Sequence, residues 1–166
     1  MAVTAEMEHT AAGAEEKPAW YVTALRGLGV LVALGALGVF FYFAFRLTLT
    51  PVHDNGQAGG NTSPGHSLRF YLNRPTKEAL LQVGGNLMLL APLGVLLPWV
   101  SVRLRGPLRL AVIGGLVSLV IETVQGLLVM GRAFDIDDVI LNTAGVVLAY
   151  LVIGRKTSRM MRGRRR

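Results

Sequence analysis

The chain contains no cysteine, which excludes a disulfide framework, an iron–sulfur cluster, a thiolate zinc site and a thiol nucleophile. Charge is scarce as well: Asp, Glu, Lys and Arg make up 16% of the 166 residues, against roughly 25% in an ordinary soluble domain. Aromatic residues reach only 7%, and none falls in residues 155–166. That basic end therefore lacks the stacking platforms with which proteins hold single-stranded nucleic acid, and no nucleic-acid partner is expected.

What is abundant is apolar sequence free of charge. Gly27 to Phe45, Ala79 to Val102 and Val139 to Gly154 carry no charged residue, and Leu110 to Gly131 carries only Glu122. A bilayer core of ~30 Å needs roughly 20 apolar residues in a helix rising 1.5 Å per residue. The lengths predict an all-α integral membrane bundle of four transmembrane helices, at about 27–46, 79–100, 109–130 and 138–154. Residues 20–154 form one membrane domain, preceded by a disordered tail over 1–19 and followed by a polybasic tail over 155–166. A cleaved signal peptide is the alternative for the first apolar stretch; the 26 mostly polar residues before it and the lack of a small-residue cleavage site favour a retained helix.

The formal net charge of +7 is unevenly placed. With the termini on one side, that side holds 12 Lys and Arg, seven of them after Gly154, and the opposite side holds five. The positive-inside bias predicts both termini in the cytoplasm, with anionic membrane lipid as the natural partner of the basic tail. Residues 47–78 are then the one long outer loop, whose Pro and Gly content forbids a long element. Within it, Leu68, Phe70, Tyr71 and Leu72 suit a membrane interface or a lid over a site. Trp20 and Trp99 suit interfacial anchoring.

Chemistry has to come from the few polar residues that a membrane makes costly to bury. An ionised Glu122 at mid-helix costs roughly 2.5 to 3.5 kcal/mol on insertion scales and needs partners. Gly115, Ser118, Glu122 and Gln125 share one face of the third helix, Asp138, Asn142, Gly145 and Ala149 one face of the fourth, and Gln82 and Asn86 one face of the second. At 1.5 Å per residue, Asn86, Glu122 and Asn142 all lie within about 14 Å of the outer ends of their helices. Above them lies the short loop Gly131–Asp138. The expectation is an outward-facing polar pocket of Asn86, Glu122, Gln125, Arg132, Asp135, Asp137, Asp138 and Asn142, with Glu122, Gln125, Asn86 and Asn142 in one hydrogen-bonded cluster. Gly115, Ser118, Gly145 and Ala149 are most simply close-packing residues, because small side chains enrich membrane helix contacts. Asp137 suits a helix N-cap and Asp138 the first helical turn. Pro92 is expected to bend the second helix and free the carbonyl of Met88.

The runs Ile121-Glu122-Thr123-Val124-Gln125, Gly131-Arg132-Ala133-Phe134-Asp135-Ile136-Asp137-Asp138-Val139-Ile140 and Asn142-Thr143-Ala144-Gly145 resemble the signature of VanZ-like membrane proteins. Asn86 to Gly94 is similar to that family's N-x-x-x-F-x-P-x-G stretch, with Leu90 in place of its usual Phe. The resemblance spans about Gln82 to Leu151. It implies a multi-pass protein of the bacterial cytoplasmic membrane, in a family named for an accessory factor that lowers susceptibility to teicoplanin more than to vancomycin. Two functional classes stay open. One is a non-enzymatic envelope factor that binds a cell-wall precursor, a lipid headgroup or the lipid-bearing glycopeptide. The other is a membrane enzyme acting on a lipid-linked precursor or phospholipid. Asp135, Asp137 and Asp138 are oxygen ligands of the kind Mg²⁺ takes, but no phosphate cradle accompanies them. His9, His53 and His66 lie outside the motif, which leaves no histidine base there. Binding is preferred on that ground, with no catalytic residue assigned and no metal or cofactor expected.

Overall fold

The computed structural model describes residues 20–51, 60–73 and 76–162; the tail expected over 1–19 lies outside them. Among the described residues there is no β-strand, only an isolated parallel bridge between Asn61 and Asp135. Helices α1 (Trp20–Thr48), α2 (His66–Asn73), α3 (Lys77–Leu89), α4 (Ala91–Val100), α5 (Pro107–Leu128) and α6 (Ile136–Ala149) follow in order. A wide π turn over Tyr150–Gly154 leads into α7 (Arg155–Arg162). Among the described residues, four helical spans are long and apolar enough to cross a membrane: Trp20–Thr48, Ala79–Val100, Pro107–Leu128 and Ile136–Met161.

The first span is mostly exposed. Its buried residues Gly29, Ala33, Leu37, Ala44 and Thr48 recur at multiples of about four, which confines contact to one narrow face. The helix begins at Trp20, seven residues before the first uncharged run, because nothing between Trp20 and Arg26 breaks it. Its end is marked by the Thr48 hydroxyl, which donates to the Ala44 carbonyl at 2.7 Å, and by Pro51.

The second span is broken at Leu90, whose φ of −99° and ψ of 0° end α3. Pro92 sits in the first turn of α4, where its missing N–H costs nothing. The expected bend is present, but the Met88 carbonyl is not left free, since the Leu90 N–H turns back to it. In the third span Gly106, at φ 146°, allows the turn that places Pro107 at the helix start.

The fourth span is the hub, with α6 packed against α3, α4 and α5, while α1 lies on α4. Leu37, Leu90, Leu93, Leu110, Val146 and Tyr150 form the apolar core. Around it three backbones meet at glycines. A Cβ on Gly145 would overlap the Leu87 carbonyl, one on Gly94 the Val146 carbonyl, and one on Gly154 the Gly94 carbonyl. Such close approach gives membrane helices their van der Waals attraction, where no hydrophobic drive separates protein from lipid. The buried stripe on α5 is Leu110, Gly114, Ser118, Glu122 and Gln125. Gly114 rather than Gly115 belongs to it, because steps of four follow the ridge that meets α6, and Val146 fills the space above Gly114.

Candidate functional site

The acidic loop enters α6 through Asp135, not Asp137. Asp135 is extended (φ −133°, ψ 118°) and its carboxylate accepts the Asp137 N–H at 2.8 Å, the geometry of an N-cap. Asp137 is thereby placed in the first turn, free to accept hydrogen bonds from elsewhere in the chain. They come from the segment 60–73. The Gly65 N–H donates to one Asp137 oxygen at 2.5 Å and the Leu68 N–H to the other at 3.1 Å. The carboxylate thus satisfies backbone donors at the start of α2, where orphan N–H groups favour an anion.

Asp135 fastens the same segment through side chains. Asn61 Nδ2 donates to its Oδ1 at 2.8 Å, and the Ser67 hydroxyl donates to its Oδ2. The backbone repeats the attachment: Asn61 N–H to Phe134 carbonyl at 2.9 Å and Ile136 N–H to Asn61 carbonyl at 3.1 Å. Close approach requires Gly60, since a Cβ there would stand 2.6 Å from that of Ala133 and 2.8 Å from the Phe134 carbonyl.

Beneath this layer stands Glu122. It is 3% exposed, and its Oε2 accepts the Asp135 N–H at 3.4 Å, a long bond. Asp135 and Asp138 bring like charge to it and Arg132 opposite charge. Asp138 accepts from Gln82 Nε2 at 3.2 Å, and Asn86 lies beside it. Four carboxylates, Glu122, Asp135, Asp137 and Asp138, are therefore buried at one end of the bundle. Most of their partners are neutral donors: backbone N–H, amide and hydroxyl groups. Among the described residues no group of three His, Asp or Glu side chains is placed to hold a metal ion.

Three expected members point elsewhere. Gln125 Nε2 donates to the Thr48 carbonyl at 2.8 Å and so ties α5 to the end of α1. Arg132 donates to the Leu47 carbonyl at 3.1 Å, while its buried Nε has no partner. Asn142 is fully buried and donates to Ser118 Oγ at 2.9 Å, with its own Oδ1 unpartnered. The buried Nδ2 of Asn86 also lacks a partner. Glu122, Gln125, Asn86 and Asn142 thus do not form one hydrogen-bonded cluster. Each of the first two serves a different neighbouring element, and Ser118, one turn below Glu122, takes up Asn142.

Nor is the site an open cleft: the carboxylates lie under the segment 60–73, which contains the short helix α2. That segment supplies the residues sequence reasoning missed, Asn61 and Ser67 and the backbone of Gly65 and Leu68. Asn61-Thr62-Ser63 reads in sequence only as a weak glycosylation pattern, and in the fold Asn61 links Ser67 and Asp135 through its side-chain amide. Gln82 is legible as a face-mate of Asn86, and it is Gln82 that reaches Asp138.

A sequence model of the VanZ/LLP1 family matches residues 29–156, from the first span through the start of α7. No curated protein and no solved structure matches the chain. The match takes in the second and third spans whole, most of the first and fourth, and the whole acidic site, and the chain belongs to the VanZ/LLP1 family.

Proposed function

We propose that this VanZ/LLP1-family membrane protein is a cell-envelope binding factor. Its buried carboxylate site faces the outside of the cytoplasmic membrane and receives the polar part of a wall precursor, a lipid headgroup or a lipid-bearing glycopeptide. The orientation is supported by the 12 to 5 distribution of Lys and Arg, which favours both termini in the cytoplasm. The observation that carries the reading is how the carboxylates are satisfied. Asp135 and Asp137 are held by Asn61, Ser67, Gly65 and Leu68, all neutral donors on one segment. Hydroxyls and amides of a sugar or peptide offer the same chemistry and can take their place when the segment lifts. The unpartnered Asn142 Oδ1 adds a buried acceptor on the neighbouring helix, and an unmet polar group at such depth favours any ligand that meets it.

On this reading, loss of the protein raises sensitivity to teicoplanin more than to vancomycin in a host exposed to both. Complementation decides it. Wild type restores protection, whereas Glu122→Gln and Asp138→Asn, present in the membrane at equal amounts, do not. Full protection by both variants overturns the site assignment.

One observation favours a second reading, that of an enzyme. The Ser67 hydroxyl donates to Asp135, the pairing a carboxylate base needs to activate an oxygen nucleophile. Turnover of a labelled lipid-linked precursor by purified protein, lost in Ser67→Ala, supports this reading over pure binding.

A further inference from the structure

The opposite end of the bundle carries a site of reversed sign. Helix α7 is fixed to the bundle along one side: Trp99 Nε1 donates to Thr157 Oγ1 at 2.9 Å, and the Arg105 guanidinium donates to the Ser158 carbonyl. Ser158 is buried, and Gly154 just before it presses on the Gly94 carbonyl. With Thr157 and Ser158 turned inward, helical spacing sends Arg155, Lys156 and Arg159 outward, and all three are exposed. They line a groove of about 390 Å³ whose remaining walls are Leu151 and Met160. Rows at i and i+4 explain the composition: Leu151, Arg155 and Arg159 lie along one line, Lys156 and Met160 along the next.

Three cations around one groove need an anion. None comes from Glu122, Asp135, Asp137 or Asp138, which cluster at the other end of the bundle. The groove also pairs charge with apolar surface: Arg155, Lys156 and Arg159 fall in the last two turns of the span Ile136–Met161, between Leu151 and Met160. We infer that Arg155, Lys156 and Arg159 on the outward face of the fixed helix α7 form a binding site for an anionic phospholipid of the bilayer, its phosphate among the cations and its first acyl methylenes against Leu151 and Met160. A fixed helix makes this a site rather than a diffuse field, because the cations are already ordered when the lipid arrives. The inference is independent of the ligand proposed for the carboxylate end.

Native mass spectrometry of the full chain, released from nanodiscs of equal phosphatidylglycerol and phosphatidylcholine content, tests it. Wild type should retain phosphatidylglycerol in preference to phosphatidylcholine of the same chain length. Arg155→Gln/Lys156→Gln/Arg159→Gln should lose that retained lipid by at least about tenfold, given the attraction of each surface cation for an anionic leaflet. Arg26→Gln/Arg103→Gln/Arg109→Gln, which removes the same charge from the same end, should stay within about twofold of wild type. Inorganic phosphate at millimolar concentration should not displace the lipid, which separates a phospholipid site from a simple phosphate site. Unchanged thermal unfolding midpoints show that both variants are folded. Equal loss in the two charge-matched variants, equal retention of the two lipids, or displacement by phosphate alone would overturn the proposal.

Discussion

Replacing Asp137 by Asn tests whether the segment 60–73 is held down by that carboxylate. Asp137 offers one oxygen to Gly65 N–H at 2.5 Å and the other to Leu68 N–H at 3.1 Å. Asn keeps the shape and one acceptor, but turns an NH₂ donor toward the second N–H and removes the charge. One charge-assisted hydrogen bond is lost outright, worth about 1.5–3 kcal/mol, and a donor now faces a donor. If Asn61 and Ser67 keep their bonds to Asp135, the segment opens as a unit whose population rises about ten- to a hundredfold. Hydrogen exchange of the protein in nanodiscs reads this directly, because exchange under native conditions follows local opening. The peptide covering 60–73 should exchange faster by that factor in Asp137→Asn, while peptides from α5 keep wild-type rates. Protection of 60–73 within about twofold of wild type would refute the assignment of Asp137 as its anchor.

Gly145→Ala should lower the unfolding midpoint in detergent by several degrees, since its Cβ meets the backbone carbonyl of Leu87 and overpacking costs typically 1–3 kcal/mol; Gly27→Ala, with open space around it, should leave the midpoint unchanged. Ser118→Ala should cost about 1–3 kcal/mol, because it removes the acceptor of the Asn142 amide and leaves that fully buried side chain with no partner at either end. Single cysteines at the exposed Ser63 and Ala133 should react with an impermeant thiol reagent in intact cells and one at the exposed Lys156 should not; labelling at Lys156 contradicts termini in the cytoplasm.

The spans were legible because hydropathy and length leave a membrane chain few alternatives, and Glu122 and Asp138 stood out because burying charge is costly. The surroundings of Asp138 were partly legible too, since Gln82 and Asn86, which lie against it, share a helix face. Less was readable where a contact joins distant segments. Asn61 and Ser67 lie 74 and 68 positions from Asp135, in a loop whose breakers announce only that it is irregular. Asp135 and Asp137 compete for the same N-cap role in D-I-D-D, and only the arrival of Gly65 and Leu68 at Asp137 decides between them. Gln125 and Asn142 have the right depth for the carboxylate cluster but the wrong azimuth. A three- or four-residue step fixes a face to within a side chain's width, which is too coarse to tell Glu122 from Thr48 or Ser118 as a partner.

The central claim is that the buried carboxylates receive an envelope ligand. Mass spectrometry of lipids and small molecules that copurify with the protein from its native membrane tests it most directly, with wild type compared against Glu122→Gln and Asp138→Asn at matched yield and unfolding midpoint. The account predicts a lipid-linked wall precursor or other polar lipid enriched with wild type and lost from both variants. The same species at the same occupancy in all three would contradict it.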